Sequence, residues 1–350
     1  MNLLEQTLEE IRPIDTAWME AAGKRQLELT KPPGSLGRLE EIANRCAAIR
    51  ESFALTAARP RIVLFAADHG VVAEGVSAYP QEVTAQMVLN FLRGGAAINA
   101  LARAGNIELK IVDAGVRALL PRSDGLIHRR VRAGTRNFTK EPAMTHTELE
   151  AALGNGIALA GDAVASGCDL LGFGEMGIGN TTAASAIAAA LTGQKVESVL
   201  GRGAGADDEC LARKRSAIDC ALALHARELD SPLGILRCVG GLEIAAMCGF
   251  CLGAAASRMP VVMDGFIASA AAAVAVRLSP ASAGYLFASH QSAEPGHRHL
   301  LRILEQQPLL NLGMRLGEGT GAALAIKIIQ GAVAAFTGMA TFAQAAVSNR

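Results

Sequence analysis

The chain has 350 residues, enough for roughly two domains of about 150 residues each and for a large buried core. With 51% hydrophobic residues, only 4% aromatics and 37 glycines, it fits closely packed α/β enzymes better than all-β modules or disordered scaffolds. Lys plus Arg and Asp plus Glu balance at 33 each, which argues against nucleic acid or an anionic membrane as the main partner while leaving room for a local anion site.

Residues 1–12 carry Glu5, Glu9 and Glu10 with no apolar core behind basic residues, so no secretory signal is read there and a cytoplasmic protein is expected. Helices are predicted over 3–11 and 16–28. The run Lys31-Pro32-Pro33-Gly34-Ser35-Leu36-Gly37 then stops any helix, and the next begins at Arg38. Beyond it, short β-branched runs at 61–67, 109–113, 169–173, 261–264 and 285–288 read as strands. Helices are predicted over 82–103, 147–166, 181–191, 209–226, 242–256 and 266–277. Alternation of this kind, with continuously apolar strands, implies a doubly wound, Rossmann-like parallel sheet covered by helices on both faces. Helix 298–305 and the alanine-rich stretch 321–347 close the chain. Residues 31–305 are expected to form a large α/β domain, with 1–30 and 306–350 combining as a small helical domain.

Two features invite other readings. Residues 321–347 are nearly all apolar and long enough to span a bilayer, but Lys327, Gln330 and Gln344 interrupt them, and buried helices are the expectation. Seven cysteines are scattered among apolar neighbours, which suits reduced buried thiols. Cys248 and Cys251 form C-x-x-C, yet no second ligand pair lies at zinc spacing. His69, His290, His297 and His299 lie in loops without an i,i+4 pair, so no metal site and no cofactor are expected.

Ligands of such folds bind at the carboxyl ends of the strands. Here those ends read Asp68-His69-Gly70, Asp113-Ala114-Gly115, the run 172–180 and Asp264-Gly265. Residues 172–177 satisfy G-x-G-x-x-G, but Glu175 would set a carboxylate where a pyrophosphate should lie, and the helix starts late, at Asn180 or Thr181. Backbone N–H groups of Gly177, Ile178, Gly179, Asn180 and Thr181 at a helix start suit a single phosphate; the same residues also suit a plain tight turn with an Asn/Thr cap. A second turn, Gly201-Arg202-Gly203-Ala204-Gly205, precedes an acidic helix start, and Arg202 or Lys214 could contact phosphate or simply be solvated. Gly203 and Gly205 are assigned to the nucleotide side. Ser77, Tyr79, Gln81, Gln86 and Leu316 are candidates for a base pocket, although the first four equally suit a loop and helix cap around Pro80.

Four segments occur together and in order: 31–37, Asp68-His69-Gly70-Val71, 174–182, and Leu316-Gly317-Glu318-Gly319-Thr320-Gly321. With Phe91-Leu92-Arg93-Gly94-Gly95-Ala96-Ala97-Ile98-Asn99 and Ser289-His290-Gln291-Ser292-Ala293-Glu294-Pro295-Gly296-His297, the chain resembles the nicotinate-nucleotide–dimethylbenzimidazole phosphoribosyltransferase family over nearly its whole length. The resemblance implies a homodimer and the conversion of nicotinate mononucleotide and 5,6-dimethylbenzimidazole, or a related base, into α-ribazole 5′-phosphate and nicotinate, for the lower nucleotide loop of cobalamin. It also implies Glu318 as catalytic base, Glu175 as an acid within the phosphate loop, and Lys214 on the phosphate side.

The chemistry agrees with the residues present. A pyridinium leaves C1′ as a neutral ring nitrogen and needs no general acid, whereas the attacking benzimidazole must shed one proton to a carboxylate. Glu318 between two glycines can approach a flat base closely, and the helix from Gly321 onward is expected to favour its ionised form. A second carboxylate such as Glu175 could stabilise oxocarbenium character. Other classes fit less well. A diphosphate-sugar transferase needs an acidic pair where 261–265 offers one acid, and an NAD-dependent oxidoreductase would use 172–177 with Glu197 on the ribose. A non-catalytic binding module would release no nicotinate.

Overall fold

The computed structural model describes residues 2–203 and 205–348. Six strands, β1 (Pro60–Ala67), β2 (Glu108–Gly115), β3 (Leu126–His128), β4 (Leu170–Met176), β5 (Val261–Met263) and β6 (Leu286–Ala288), form one sheet in the order β3-β2-β1-β4-β5-β6. Every pairing is parallel. Chain order reverses between β1 and β4, and at such a switch point the loops leaving neighbouring strands diverge to open a crevice.

The two faces of β1 and β4 are covered by helices of different provenance. Phe65 and Phe173 meet Phe250 of the Leu242–Ala256 helix, with ring centroids 5.7 and 6.0 Å apart in edge-on geometry. Each such ring buries enough apolar surface to stabilise the fold by about 2–3 kcal/mol. On the opposite face Ile62 and Gly172 face Ala322 and Ile326 of the Thr320–Gly338 helix. Gly174 lies on that same face, and a Cβ there would overlap the backbone of Gly319. The absent side chain therefore lets the glycine-rich turn before the C-terminal helix rest directly on the end of β4.

Short segments near the chain ends come together. Leu29 forms an antiparallel bridge with Thr341, and Trp18, Phe53 and Phe336 stack edge to face. The Leu3–Glu10 helix packs on the helices His146–Ala165 and Leu242–Ala256. The apolar C-terminal stretch folds as Thr320–Gly338 and Phe342–Ala345. Thr320–Gly338 is long and apolar enough to cross a membrane, but half of it is buried inside the protein, as a core helix is. Lys327 on its exposed side donates to the Gly105 carbonyl at 2.9 Å.

One sequence expectation is corrected, and two elements lie outside the sequence reading. The predicted helix 82–103 is two helices, Glu82–Leu92 and Ala97–Gly105, separated at Gly94 with φ 78°. Asn99 locks that break, donating from Nδ2 to the Phe91 carbonyl and accepting from Ala96 N–H, both at 3.0 Å. Strand β3 was not foreseen because three residues at a sheet edge are too few to display a period. The helix Pro232–Val239 was also missed, although Ser231 as cap and Pro232 in the first turn marked its start.

Candidate active site

A cavity of about 500 Å³ opens beyond the carboxyl ends of β4, β5 and β6. Glu175 and Met176 form its floor, the turn after β4 one wall, Gly265 and Phe266 a second, His290 to Glu294 a third, and Arg315 to Glu318 the lid. A smaller pocket joins it behind the turn, lined by Ser77, Gly177 to Thr181, Arg202 and Lys214.

This smaller pocket is electropositive. The Asn180–Thr192 helix begins at Gly179, φ 93°, with no side-chain cap on its first amides. Ile178 N–H donates to Thr84 Oγ1, and those of Asn180 and Thr182 to the Gly177 and Gly179 carbonyls, while the aligned helix dipoles suit an anion beside the turn. Lys214, buried, brings Nζ within 2.9 Å of Thr181 Oγ1 and 3.4 Å of the Gly201 carbonyl. Burial lowers its pKa, opposed by the charge of Glu294. Arg202 reaches the rim, but its guanidinium is engaged by Asp208 and by the Ala206 carbonyl.

At the other end, Glu318 has φ 62° between Gly317 and Gly319, at 84° and 78°. Three successive left-handed residues are costly for a chain with a side chain in the middle, and such strain persists only where surrounding bonds over-determine it. Asp264, the residue following β5, supplies those bonds. Its Oδ2 accepts from Gly319 N–H at 2.9 Å, and its Oδ1 from Gly321 and Ala322 N–H at 2.7 and 3.1 Å. The start of the C-terminal helix is therefore already neutralised by Asp264. This corrects the expectation that the helix would favour the ionised form of Glu318: burial, and secondarily the Asp264 charge, push the Glu318 pKa up to about 7.

Glu175 lies beside this turn, so close that a Cβ on Gly317 would collide with its Oε1. Its other oxygen accepts from Asn180 Nδ2. Full burial, followed by the charges of Glu243 and Asp264, raises its pKa well above the ordinary carboxyl value. Two acids in one cleft thus differ in setting: Glu175, fully buried among acids, is raised well above the ordinary carboxyl value, and Glu318 to about 7. Behind them Glu243 is fully buried against His69, Oε1 to Nε2 2.6 Å.

The structure brings Glu175, Gly177, Ile178, Asn180, Thr181, Gly203, Tyr79, Leu316 and Glu318 onto the main cavity. Gly179, Ser77 and Lys214 line the smaller pocket. Tyr79 and Leu316 stand at the open mouth, 48% and 57% exposed. Gln81 instead bridges elements, donating to the His69 carbonyl and accepting from Arg117, while Gln86 and Gly205 are exposed and line neither pocket. His297 is locked between Ser269 Oγ and Ser292 N–H, and burial lowers its pKa to about 3. Among the described residues one possible metal-ligand group, His225, Glu228 and Cys238, contributes nothing to either pocket.

Sequence reasoning gave no role to Asp264, Glu294 or Arg315. Glu294 accepts from Gly203 N–H at 3.0 Å, and Arg315 donates to the Gly203 carbonyl at 2.7 Å, so the two together fix the second glycine turn. The acid after a strand was a visible signal for Asp264; its partners, more than fifty residues away, were not.

The fold is that of a Rossmann-like α/β enzyme, with backbone amides and a buried lysine at one end of the crevice and two glutamates of raised pKa at the other. A family model described as phosphoribosyltransferase matches residues 11–347. Nicotinate-nucleotide–dimethylbenzimidazole phosphoribosyltransferase of Chloroflexus aggregans is 52% identical, with 100% of this chain and 99% of that protein aligned. That of Geobacter metallireducens is 51% identical at the same coverages. A crystal structure of the Thermus thermophilus enzyme of that name superposes with TM-score 0.90 at 49% identity, over 96% of this chain and 100% of the other. The chain belongs to the nicotinate-nucleotide–dimethylbenzimidazole phosphoribosyltransferase family.

Proposed function

We propose that this protein transfers phosphoribose from nicotinate mononucleotide to 5,6-dimethylbenzimidazole or a related base, releasing nicotinate and forming α-ribazole 5′-phosphate for the lower nucleotide loop of cobalamin. The observation that carries this reading is Glu318, a carboxylate raised to about 7 at the cavity lid, facing an anion seat across the crevice.

The 5′-phosphate lies against Gly177 to Thr181 and Lys214, which directs C1′ toward Glu175 and Glu318. The base slides in beneath Tyr79 and Leu316. Its unprotonated ring nitrogen attacks C1′ as the bond to the pyridinium nitrogen breaks, and that electron pair neutralises the departing nicotinate ring. Attack on the face opposite the leaving group inverts C1′, as conversion of a β-nucleotide into an α-product requires. The new benzimidazolium then loses its other N–H proton to Glu318. An acceptor with a pKa near the working pH serves this task well. Burial raises the Glu175 pKa, and the cationic substrate ring supplies an opposite charge that favours the ionised form, which stabilises positive charge at C1′.

The reading includes a homodimer acting in the cytoplasm without metal or cofactor, with neither nucleic acid nor membrane as partner. It also includes a small helical domain of residues 1–30 and 306–350 beside the large one. The direct test is to incubate purified protein with nicotinate mononucleotide and a series of bases, following nicotinate release and the configuration of the product. If no base is consumed, the reading fails.

A further inference from the structure

We infer that Asp264 is a positioning residue for the transfer, holding the left-handed turn Gly317-Glu318-Gly319 against the end of β4 so that the Glu318 carboxylate faces the cavity. The inference rests on the reading that Glu318 is the proton acceptor. It starts from a mismatch in the Thr320–Gly338 helix, whose own N-cap, Gly319, has no side chain. A helix start leaves its first N–H groups without partners, and burying them unpaired is costly. Here the missing acceptor comes from the end of β5, more than fifty residues earlier in the chain.

Asp264 meets most of this demand with its two oxygens, and the Thr320 N–H turns to the Gly317 carbonyl. Gly319, Gly321 and Ala322 donate to them at 2.9, 2.7 and 3.1 Å, and the residue is almost wholly buried. Asp264 itself is pinned, because Ser289 Oγ donates to its backbone carbonyl at 2.8 Å. That hydroxyl has one proton, so in its 3.0 Å contact with His290 Nδ1 the imidazole is the donor. His290 therefore carries a proton on Nδ1; burial lowers its pKa, and the Asp264 charge opposes that shift. The Asp264 carboxylate is thus held by three backbone N–H groups, with the His290 ring beside it, Nδ1 3.9 Å from Oδ1. Burial raises the Asp264 pKa while His290 and the three amides favour its charge, and Glu318 feels that charge alongside Glu175 from β4, His290 from beyond β6 and Arg315 from its own loop.

A residue that only stabilised the helix would change how much protein folds, not the behaviour of the molecules that do. A residue that also places and polarises Glu318 changes kcat and its pH dependence. Asp264→Asn retains the size but leaves one oxygen for three donors and removes the charge. The expected result is a roughly 10- to 100-fold lower kcat, a KM for nicotinate mononucleotide within about threefold of the parent, and an acid limb of the kcat–pH profile displaced to lower pH by about one unit. If that variant does not fold, Ser289→Ala, which frees the Asp264 carbonyl, should lower kcat several-fold with the same KM. Unchanged kcat and pH profile in the folded Asp264→Asn protein, or in Ser289→Ala when the former is insoluble, would overturn the inference. Glu318→Gln measured in parallel separates the two ideas: if it is fully active, the assignment of Glu318 fails first; if it is inactive while the Asp264 and Ser289 variants match the parent, only the positioning role fails.

Discussion

Glutamine at position 318 would preserve the shape of the side chain while removing its capacity to accept a proton. A positioned general base contributes roughly 10²–10⁴ in rate, so kcat should fall by about that factor, equivalent to about 3–5 kcal/mol of barrier. Both substrates should still bind, because the substitution keeps the side chain's size in the main cavity and leaves the smaller pocket, which Glu318 does not line, unaltered. In the parent protein, activity should rise with pH through about 7, since Glu318 must be ionised to act and burial has raised it to that value. The same rise works against stability. The folded-state pKa exceeds the ordinary 4.5, so the folded chain holds this proton more tightly, and stability declines as pH climbs from about 4.5 to about 7. The full shift corresponds to at most about 3 kcal/mol, and about 1–2 kcal/mol after allowing for solvent in the open crevice. Glu318→Gln should therefore be more stable than the parent at pH 8 and equal to it at pH 4, by denaturant titration at both. Nicotinate release would be followed over pH 5–9 with calorimetric binding of each substrate. Retention of more than about a tenth of parental kcat at pH 8, against the expected hundredfold or greater loss, would refute the assignment.

Lys214→Met should raise the KM for nicotinate mononucleotide about 10- to 100-fold, the worth of a charge-assisted hydrogen bond, and should alter turnover of the dephosphorylated nucleoside far less. Glu175→Gln should lower kcat about 10- to 100-fold without weakening nucleotide binding; a fully active variant would mean that Glu175 works as a neutral acid or not at all. Gly174→Ala forces a Cβ into the Gly319 backbone, so thermal denaturation should reveal a loss of about 2–4 kcal/mol, and activity should fall with it because the Glu318 turn is what must move.

The sheet was legible because most of its strands carry continuous apolar runs, such as Ile62 to Ala67, Leu170 and Leu171, and Val261 to Met263. Ile62, Leu64 and Phe65 are buried, and a fully buried parallel strand reads as a continuous run. The turn 174–182 was equally legible, since glycines followed by Asn180-Thr181-Thr182 mark a helix start in sequence alone. Strand β3 and the Gly94 break were not legible, because an edge strand of three residues has no period and a helix interruption closed by Asn99 depends on geometry. The base pocket was read only in part. Tyr79 and Leu316 reach the cavity mouth, whereas Gln81 and Gln86 share their segment but face away, and neighbours on one short stretch of chain carry no sign of which way they point.

The electrostatics of Glu318 show most plainly what spacing cannot convey. From sequence, a glutamate before an apolar helix should enjoy the positive helix end and ionise readily. In the folded chain that helix end has another owner. Asp264 arrives from β5 and accepts from the first amides, and its negative charge then opposes ionisation of Glu318. One carboxylate thus holds the turn in shape and makes the neighbouring one a stronger base. Both effects arise from a tertiary contact between residues 264 and 319–322, and only the parallel placement of β5 beside β4, with the C-terminal helix laid across them, creates it. The carboxylate proposed to accept the proton stands in the motif, while the pKa that would suit it to neutral pH belongs to the fold.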